Sequence, residues 1–305
     1  MPELNPVLVK ELRGRMRGAR AFVLLTVYLI ILSLAMLLLY TAVASSAGTD
    51  LNAGRRIGQA LFYGIAAVAL IEVCVITPAL TAGSIAGEKE RQTYDLLVSS
   101  LLSPWQIVLG KLGAALAFAL LLILAVVPLM SLAFLFGGVS LAQVIILLAG
   151  LVATAVFYAC VGLFWSAAMR STLGANSFAL GTIIAMLLGI PFIAVVFTLI
   201  FGSNSRFWSD SPLIVYLGGA FISSHPFIAL LISDQSIRDG RGVFFSSVSL
   251  QNGQLLVPSP WLAFIALALL FSLALILLSV RLLRPGAGQE APRGRAGKSA
   301  EEATP

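Results

Sequence analysis

The densest run of charge in the chain is Glu88-Lys89-Glu90-Arg91. It sits in GEKERQTYDLLVSSLLSPWQIVLGK, residues 87–111, between two long apolar stretches. Few other side chains have the types and spacing that chemistry needs. There is one histidine, His225. A zinc protease of the H-E-x-x-H kind needs two close histidines, so that class is excluded. Ser-His-Asp catalysis would have to use His225, with no nucleophile elbow in view. An acid–base pair of His225 with Asp234 is the one external candidate for a membrane enzyme. His225 stands in Ser223-Ser224-His225-Pro226, a helix-breaking sequence, and reads more simply as a turn residue. The C-terminal Ala296-Gly297-Lys298-Ser299 matches the end of a phosphate-binding loop. Pro292 stands where that motif needs its first glycine, and no strand precedes it. Cys74 and Cys160 fall within apolar stretches, without zinc or disulfide spacing, and read as small buried hydrophobes. No metal site and no cofactor bound by this chain are expected, and neither is enzymatic activity.

Glu72 is the remaining candidate. It is the only carboxylate inside an apolar stretch. A charge at mid-bilayer costs about 2.5–3.5 kcal/mol on insertion scales, and such groups mark functional sites by default. The competing reading is a protonated, hydrogen-bonded contact between helices. A proton-coupled transporter usually wants more than one such group, and there is no second.

The elements around these residues belong to a membrane protein. Of 305 residues, 59% are hydrophobic and only 10% charged, with a mean hydropathy of +1.02. A soluble domain carries about 25% charged residues. Apolar runs of 18 or more residues are candidate spans, and six are present: 21–43, 60–83, 112–136, 141–167, 175–201 and 261–283. The fold class is therefore an all-α integral membrane protein with six transmembrane helices forming one domain over 21–283. Ala42-Val43-Ala44 resembles a signal cleavage site, but a signal's apolar region is about 7–15 residues, and this run is longer, so the first span reads as retained. Residues 1–20 read as an amphipathic interfacial helix. Asn5 is a good cap and Pro6 suits the first position. Leu8, Val9, Leu12 and Met16 share one face, and Lys10, Arg13, Arg17 and Arg20 another.

Charge sets the expected topology. With the N-terminus inside, 14 of the 19 Lys and Arg residues fall on inner flanks. Arg55, Arg56, Arg206, Arg238 and Arg241 fall outside. Cytoplasmic flanks collect Lys and Arg, so both termini are expected in the cytoplasm of a multi-pass plasma-membrane protein, of prokaryotic type. The basic net charge of +6 thus reads as topology rather than nucleic-acid binding. Gly137–Ser140 is a tight outer turn, and Met169–Gly174 an inner one. Within the external stretch 202–260, Pro212–Ser233 is apolar but broken near its middle, which predicts a re-entrant or interfacial pair. Residues 284–305, rich in Gly, Pro and charge, read as a disordered cytoplasmic tail.

Inside the opening stretch, Gln92, Thr93 and Tyr94 begin a short amphipathic piece. Tyr94, Leu97, Val98 and Leu101 share one face. Ser103 caps a new helix with Pro104 at its first position, Trp105 sits at interface depth, and Lys111 anchors the third span. An apolar stripe facing water needs a partner. The stretch resembles the first cytoplasmic loop of permeases of the type-2 ABC exporter class, through Glu90, Arg91, Thr93, Asp95, Leu96, Leu97, Leu102, Ser103, Pro104, Ile107, Gly110 and Lys111. The basic start, the six-span plan and the external segment before the last span are similar too. The resemblance implies a permease that pairs with a second, identical or related, and docks separate ATPase subunits carrying Mg-ATP. It implies that the loop holds the coupling helix, with Glu88, Lys89, Glu90, Arg91 and Thr93 meeting the ATPase surface and the Tyr94–Leu101 stripe filling its groove. A secondary transporter or channel without an ATPase is the alternative.

Overall fold

A computed structural model describes residues 5–16, 19–47, 52–94, 102–201, 211–250 and 253–283. Leu97, Val98, Leu101, the 202–210 loop and the 284–305 tail lie outside the described residues. A short helix α1, Pro6–Met16, precedes α2, Ala19–Ala47, and α3, Ala53–Glu90. Then follow α4, Pro104–Phe136, α5, Leu141–Ala168, and α6, Thr172–Phe201. Two short helices, α7, Pro212–Ser223, and α8, Pro226–Arg238, lead through strands β1, Phe245–Leu250, and β2, Gly253–Pro258, to α9, Pro260–Leu283. Helices α2 to α6 and α9 are the six helices long and apolar enough to cross a membrane. Each overlaps a run expected from hydropathy, and the protein is a six-span membrane protein. In hydrocarbon every backbone polar group must be met internally, and a helix does this within itself.

Helix α3 is the axis of the fold. It packs against α2, α4, α5 and α6. By contrast, α2 and α6 leave most of their apolar surface facing outward, as lipid permits. The α3–α5 contact is made close by small residues, as is usual where no hydrophobic force drives helices together. A Cβ added at Gly162 would lie 2.2 Å from Thr81 Oγ1 and 2.7 Å from the Pro78 carbonyl oxygen. One turn on, Ser166 Oγ accepts from the Ile85 and Ala86 N–H groups at 2.9 and 3.0 Å. Cys74 and Cys160 are free and buried, as their setting predicts.

The 137–140 turn is as tight as expected. Gly137 and Gly138 have φ of 85° and 80°, which a side chain would disfavour. A Cβ on Gly138 would come within 2.6 Å of Arg55 Cγ. The apolar external segment does break near Ser223–Pro226. Helices α7 and α8 meet at a 115° bend rather than forming a seventh straight span. His225 caps α8: its Nδ1 accepts from the Ile228 N–H at 3.3 Å, so Nε2 carries the proton toward the Leu187 carbonyl at 3.1 Å. The antiparallel β1–β2 hairpin is an addition to the all-helical expectation. Its strands pair from Phe245↔Pro258 to Leu250↔Gly253, so residues 251–252 join them and Gly253, at φ 148°, opens β2.

Gly162→Val should lower stability by about 1–3 kcal/mol through overpacking. Gly181, with nothing within 4 Å of an added Cβ, should accept alanine without loss. Thermal unfolding of both purified variants checks this.

Candidate functional site

The charge run Glu88–Arg91 forms the end of α3, and its charges go to different neighbours. Glu88 Oε1 accepts from Lys111 Nζ at 2.9 Å. The same ammonium donates to Glu11 Oε1 of α1 at 2.9 Å and to the Ser84 carbonyl at 3.0 Å. An ammonium has three N–H bonds, and all three are used. Lys111 is 1% exposed. The anchor residue near the start of the third span is thus also a buried link between α1, α3 and α4.

Lys89 reaches the other way. Its Nζ donates to the Ala167 carbonyl, and to that of Met169 at 3.4 Å, at the C-terminal end of α5. Glu90 Oε2 accepts from the backbone N and Oγ1 of Thr172 at 2.9 and 2.6 Å, at the start of α6. A cation at a helix C-terminus and an anion at an N-terminus are each favoured by the helix dipole. Together the two residues clamp the α5–α6 turn. Arg91 stands exposed at the rim.

Helix α3 ends in a Schellman arrangement. The Thr93 N–H reaches the Glu88 carbonyl at 3.0 Å and the Gln92 N–H that of Lys89 at 3.2 Å. Gln92 takes φ 59°, at the position where glycine is usual. Tyr94 is half-buried, with Lys89 Nζ 5.6 Å from its ring centroid. Residues 95–101 are outside the described set. After Leu102, Ser103 caps α4 in a reciprocal box with Gln106, and Pro104 takes the first turn. Trp105 is exposed.

Helix α1 completes the cluster. Asn5 Nδ2 donates to the Gln106 carbonyl at 2.7 Å. Val7 is buried against Gly110, where an added Cβ would lie 2.8 Å from Val7 Cβ. Arg15 Nη2 donates to the Leu80 carbonyl at 2.7 Å; burial presses its pKa down while Glu11 works the other way. Of the apolar stripe, Leu8 and Leu12 are half-buried, with Leu8 close against Gly113 of α4. Val9 is exposed, Val7 is inside, and Glu11 and Arg15 turn toward α3 and α4. A cleft of about 1020 Å³ opens beside the cluster, lined by residues including Val7, Glu11, Glu88, Arg91, Leu102 and Thr172.

The structure therefore gathers Glu88, Lys89, Glu90, Arg91, Thr93 and Tyr94 with Lys111. It adds Glu11, Ser84 and Thr172, which sequence reasoning missed. Their partners lie 27 to 100 residues away in the chain, where no local pattern marks them. Glu72 stands apart. It is buried, and neither oxygen has a partner among the described residues; the Tyr28 hydroxyl, also buried, is in the same condition. His225 and Asp234 do not bond each other. His225 serves the α8 cap, and Asp234 accepts from Tyr63 and Gln143. Among the described residues, no three His, Cys, Asp or Glu side chains gather to hold a metal ion.

Replacing Lys111 by methionine removes the cation 2.9 Å from both Glu11 and Glu88 and leaves Glu11 only Arg15 Nε, at 3.9 Å. Breaking a buried pair by removing one partner costs about 3–5 kcal/mol, so Lys111→Met should unfold far earlier in a thermal melt than Lys10→Met, whose side chain is exposed. Compared with known proteins, the chain matches no family model and no curated protein.

Proposed function

We propose that this chain is the transmembrane permease subunit of an ATP-driven exporter, working with a second permease and with separate ATPase subunits. The six-span architecture is consistent with transport in general. The observation that supports the finer reading is the bonding of the α3 terminus. Its last two turns are tied to α1 and α4 through Lys111, to α5 through Lys89 and to α6 through Glu90. A force applied at residues 92–102 is therefore delivered to five helices together. An ATPase that closes on ATP needs such an attachment, since a flexible loop would absorb its stroke. Arg91 and Thr93, exposed at the rim, and the Leu97–Val98–Leu101 stripe are the groups assigned to the ATPase contact. Lys89 and Glu90 act inward, setting the stem on which that contact stands. The nucleotide belongs to the partner, and this chain itself carries out no catalysis. Both termini and residues 87–111 lie on the cytoplasmic side in this reading.

One observation favours a secondary transporter. Among the described residues, Glu72 is a carboxyl inside a span with no hydrogen-bond partner, as a coupling site for an ion would be. Under the permease reading, Glu72→Gln leaves ATPase association intact.

Two experiments test the proposal. In membranes expressing the chain with a candidate ATPase, Leu97→Ala should weaken co-purification of the ATPase more than Lys10→Ala does. An interface anchor often costs 2 kcal/mol or more when truncated, and a rim charge less. Arg91→Glu should be worse than Arg91→Ala, because it adds repulsion to a lost contact. Equal binding and equal stimulation of hydrolysis by all variants would exclude this stretch as the coupling element. For topology, on a background lacking Cys74 and Cys160, an impermeant thiol reagent added outside should label Ser205→Cys and not Gln92→Cys. Labelling of Gln92→Cys would refute the orientation.

A further inference from the structure

Two polar clusters sit toward opposite ends of α3, and their spacing is that of a bilayer. Tyr63 and Ser84, whose carbonyl holds Lys111, are 21 residues apart on this one helix, about 31 Å at 1.5 Å per residue. The hydrocarbon core of a bilayer is about 30 Å thick. The Tyr63 hydroxyl donates to Asp234 Oδ2 of α8, and Asp234 Oδ1 accepts from Gln143 Nε2 near the start of α5. Asp234 also pairs with Arg238 Nη2 at 2.8 Å. The Asp234 cluster thus lies at one surface of the membrane and the Lys111 cluster at the other.

From the Asp234 cluster a crevice of about 190 Å³ runs into the hydrocarbon between α3, α5 and α8. Its wall on α3 extends from Phe62 to Leu70, about 12 Å of helix, against a depth of about 15 Å for one leaflet. The polar groups of the wall are gathered at one end, where Tyr63, Gln143 and Asp234 meet. The deeper wall, with Leu70, Leu147 and Phe227, is apolar. The crevice opens on the outer surface of the bundle, since Leu231 in its wall is 56% exposed and Ala67 is half-buried. Its walls are fixed. Leu230 of α8 seats on Gly150 of α5, where an added Cβ would lie 2.8 Å from Leu230 Cδ2, and Asp234 ties α8 to α3 and α5.

We propose that this crevice binds one acyl chain of a phospholipid from the surrounding leaflet, with the lipid phosphate at Arg238. The order of groups along the crevice is that of the lipid: charge at the membrane surface, apolar wall beneath it. The Arg238 side chain is 37% exposed. A guanidinium has five N–H donors, so the bond to Asp234 leaves others for a phosphate, whose oxygens suit the planar fork. The volume is below the roughly 300 Å³ of ordinary ligand pockets, so it takes one chain and leaves the rest of the molecule in the bilayer. A chain in the crevice supplies dispersion contacts that its walls otherwise lack, and walls already fixed spend little on ordering. The inference rests on the six-span architecture and not on the ATPase reading.

The test is photolabelling of the full chain in phosphatidylcholine nanodiscs. The probe is phosphatidylcholine with a diazirine near the end of one chain, and adducts are mapped by peptide mass spectrometry. Adducts at Leu70, Leu147 and Phe227 should exceed those at Leu188, which faces outward on α6, several-fold. A long-chain alcohol carrying the same diazirine and no phosphate should label the two places alike, a comparison made on the parent protein and independent of any variant's folding. Ala67→Trp, which fills the crevice, should bring its adducts down to the Leu188 level, and Arg238→Gln should lower them part of the way. Equal labelling of the crevice and Leu188 by the phospholipid would overturn the proposal, leaving boundary lipid only. Undiminished crevice labelling in Ala67→Trp would overturn it too. Equal enrichment with the alcohol, or no change in Arg238→Gln, would refute recognition of the phosphate.

Discussion

A buried ammonium is tolerated only where its three donors and its charge are all met, and Lys111 is the point at which this fold meets that condition. Desolvating an ion costs several kcal/mol, which close partners must offset. Glu11 and Glu88 do so at 2.9 Å each, with Ser84 taking the third donor. The requirement propagates. Glu88 must be at the end of α3, α1 must lie against α4 to present Glu11, and the turn between α3 and α4 must return Lys111 to the same depth. Arg15 on the Leu80 carbonyl and Val7 on Gly110 then fix α1 along its length. Helix α1 is thereby held against α3 and α4.

Helix α3 joins this cluster to the bonds that Tyr63 and Gln143 make to Asp234 toward its other end. Glu88 lies near its C-terminus and Tyr63 in its N-terminal third. Between them, Pro78 removes one backbone donor, and Gly162 lets α5 approach at that level. Ser166 then accepts from two α3 amides. In a bilayer a helix pair gains little from apolar burial alone, so small residues and hydrogen bonds decide where the backbones meet. The rigid middle of the molecule is the α3–α5 pair. The helices with outward apolar faces, α2 and α6, are attached to it along fewer contacts.

Much of the plan was legible from residue order. The six spans follow from apolar runs long enough to cross hydrocarbon. The bend at Ser223–Pro226 follows from proline and serine in an apolar segment. The cap at Ser103 follows from a hydroxyl placed before Pro104 and three residues before Gln106. The charge run was legible as a special place, but its internal division was not. Helical spacing distinguishes faces, and all four residues of Glu88–Arg91 fall within about one turn, spread over every face.

What the sequence determined by itself was the solvent of each segment, because transfer between water and hydrocarbon is a property of each side chain and adds along a run. It also determined helix ends and turns, which depend on residues within four or five positions. The tertiary structure alone decided which charges face inward. Lys111 finds Glu11 across 100 residues, Glu90 finds Thr172 across 82, and Asp234 finds Tyr63 across 171. Those pairings depend on how helices are arranged around α3, and the same residues with another arrangement would have turned their charges to water. A buried ion is defined by the partners packed around it, and no local stretch of sequence contains them.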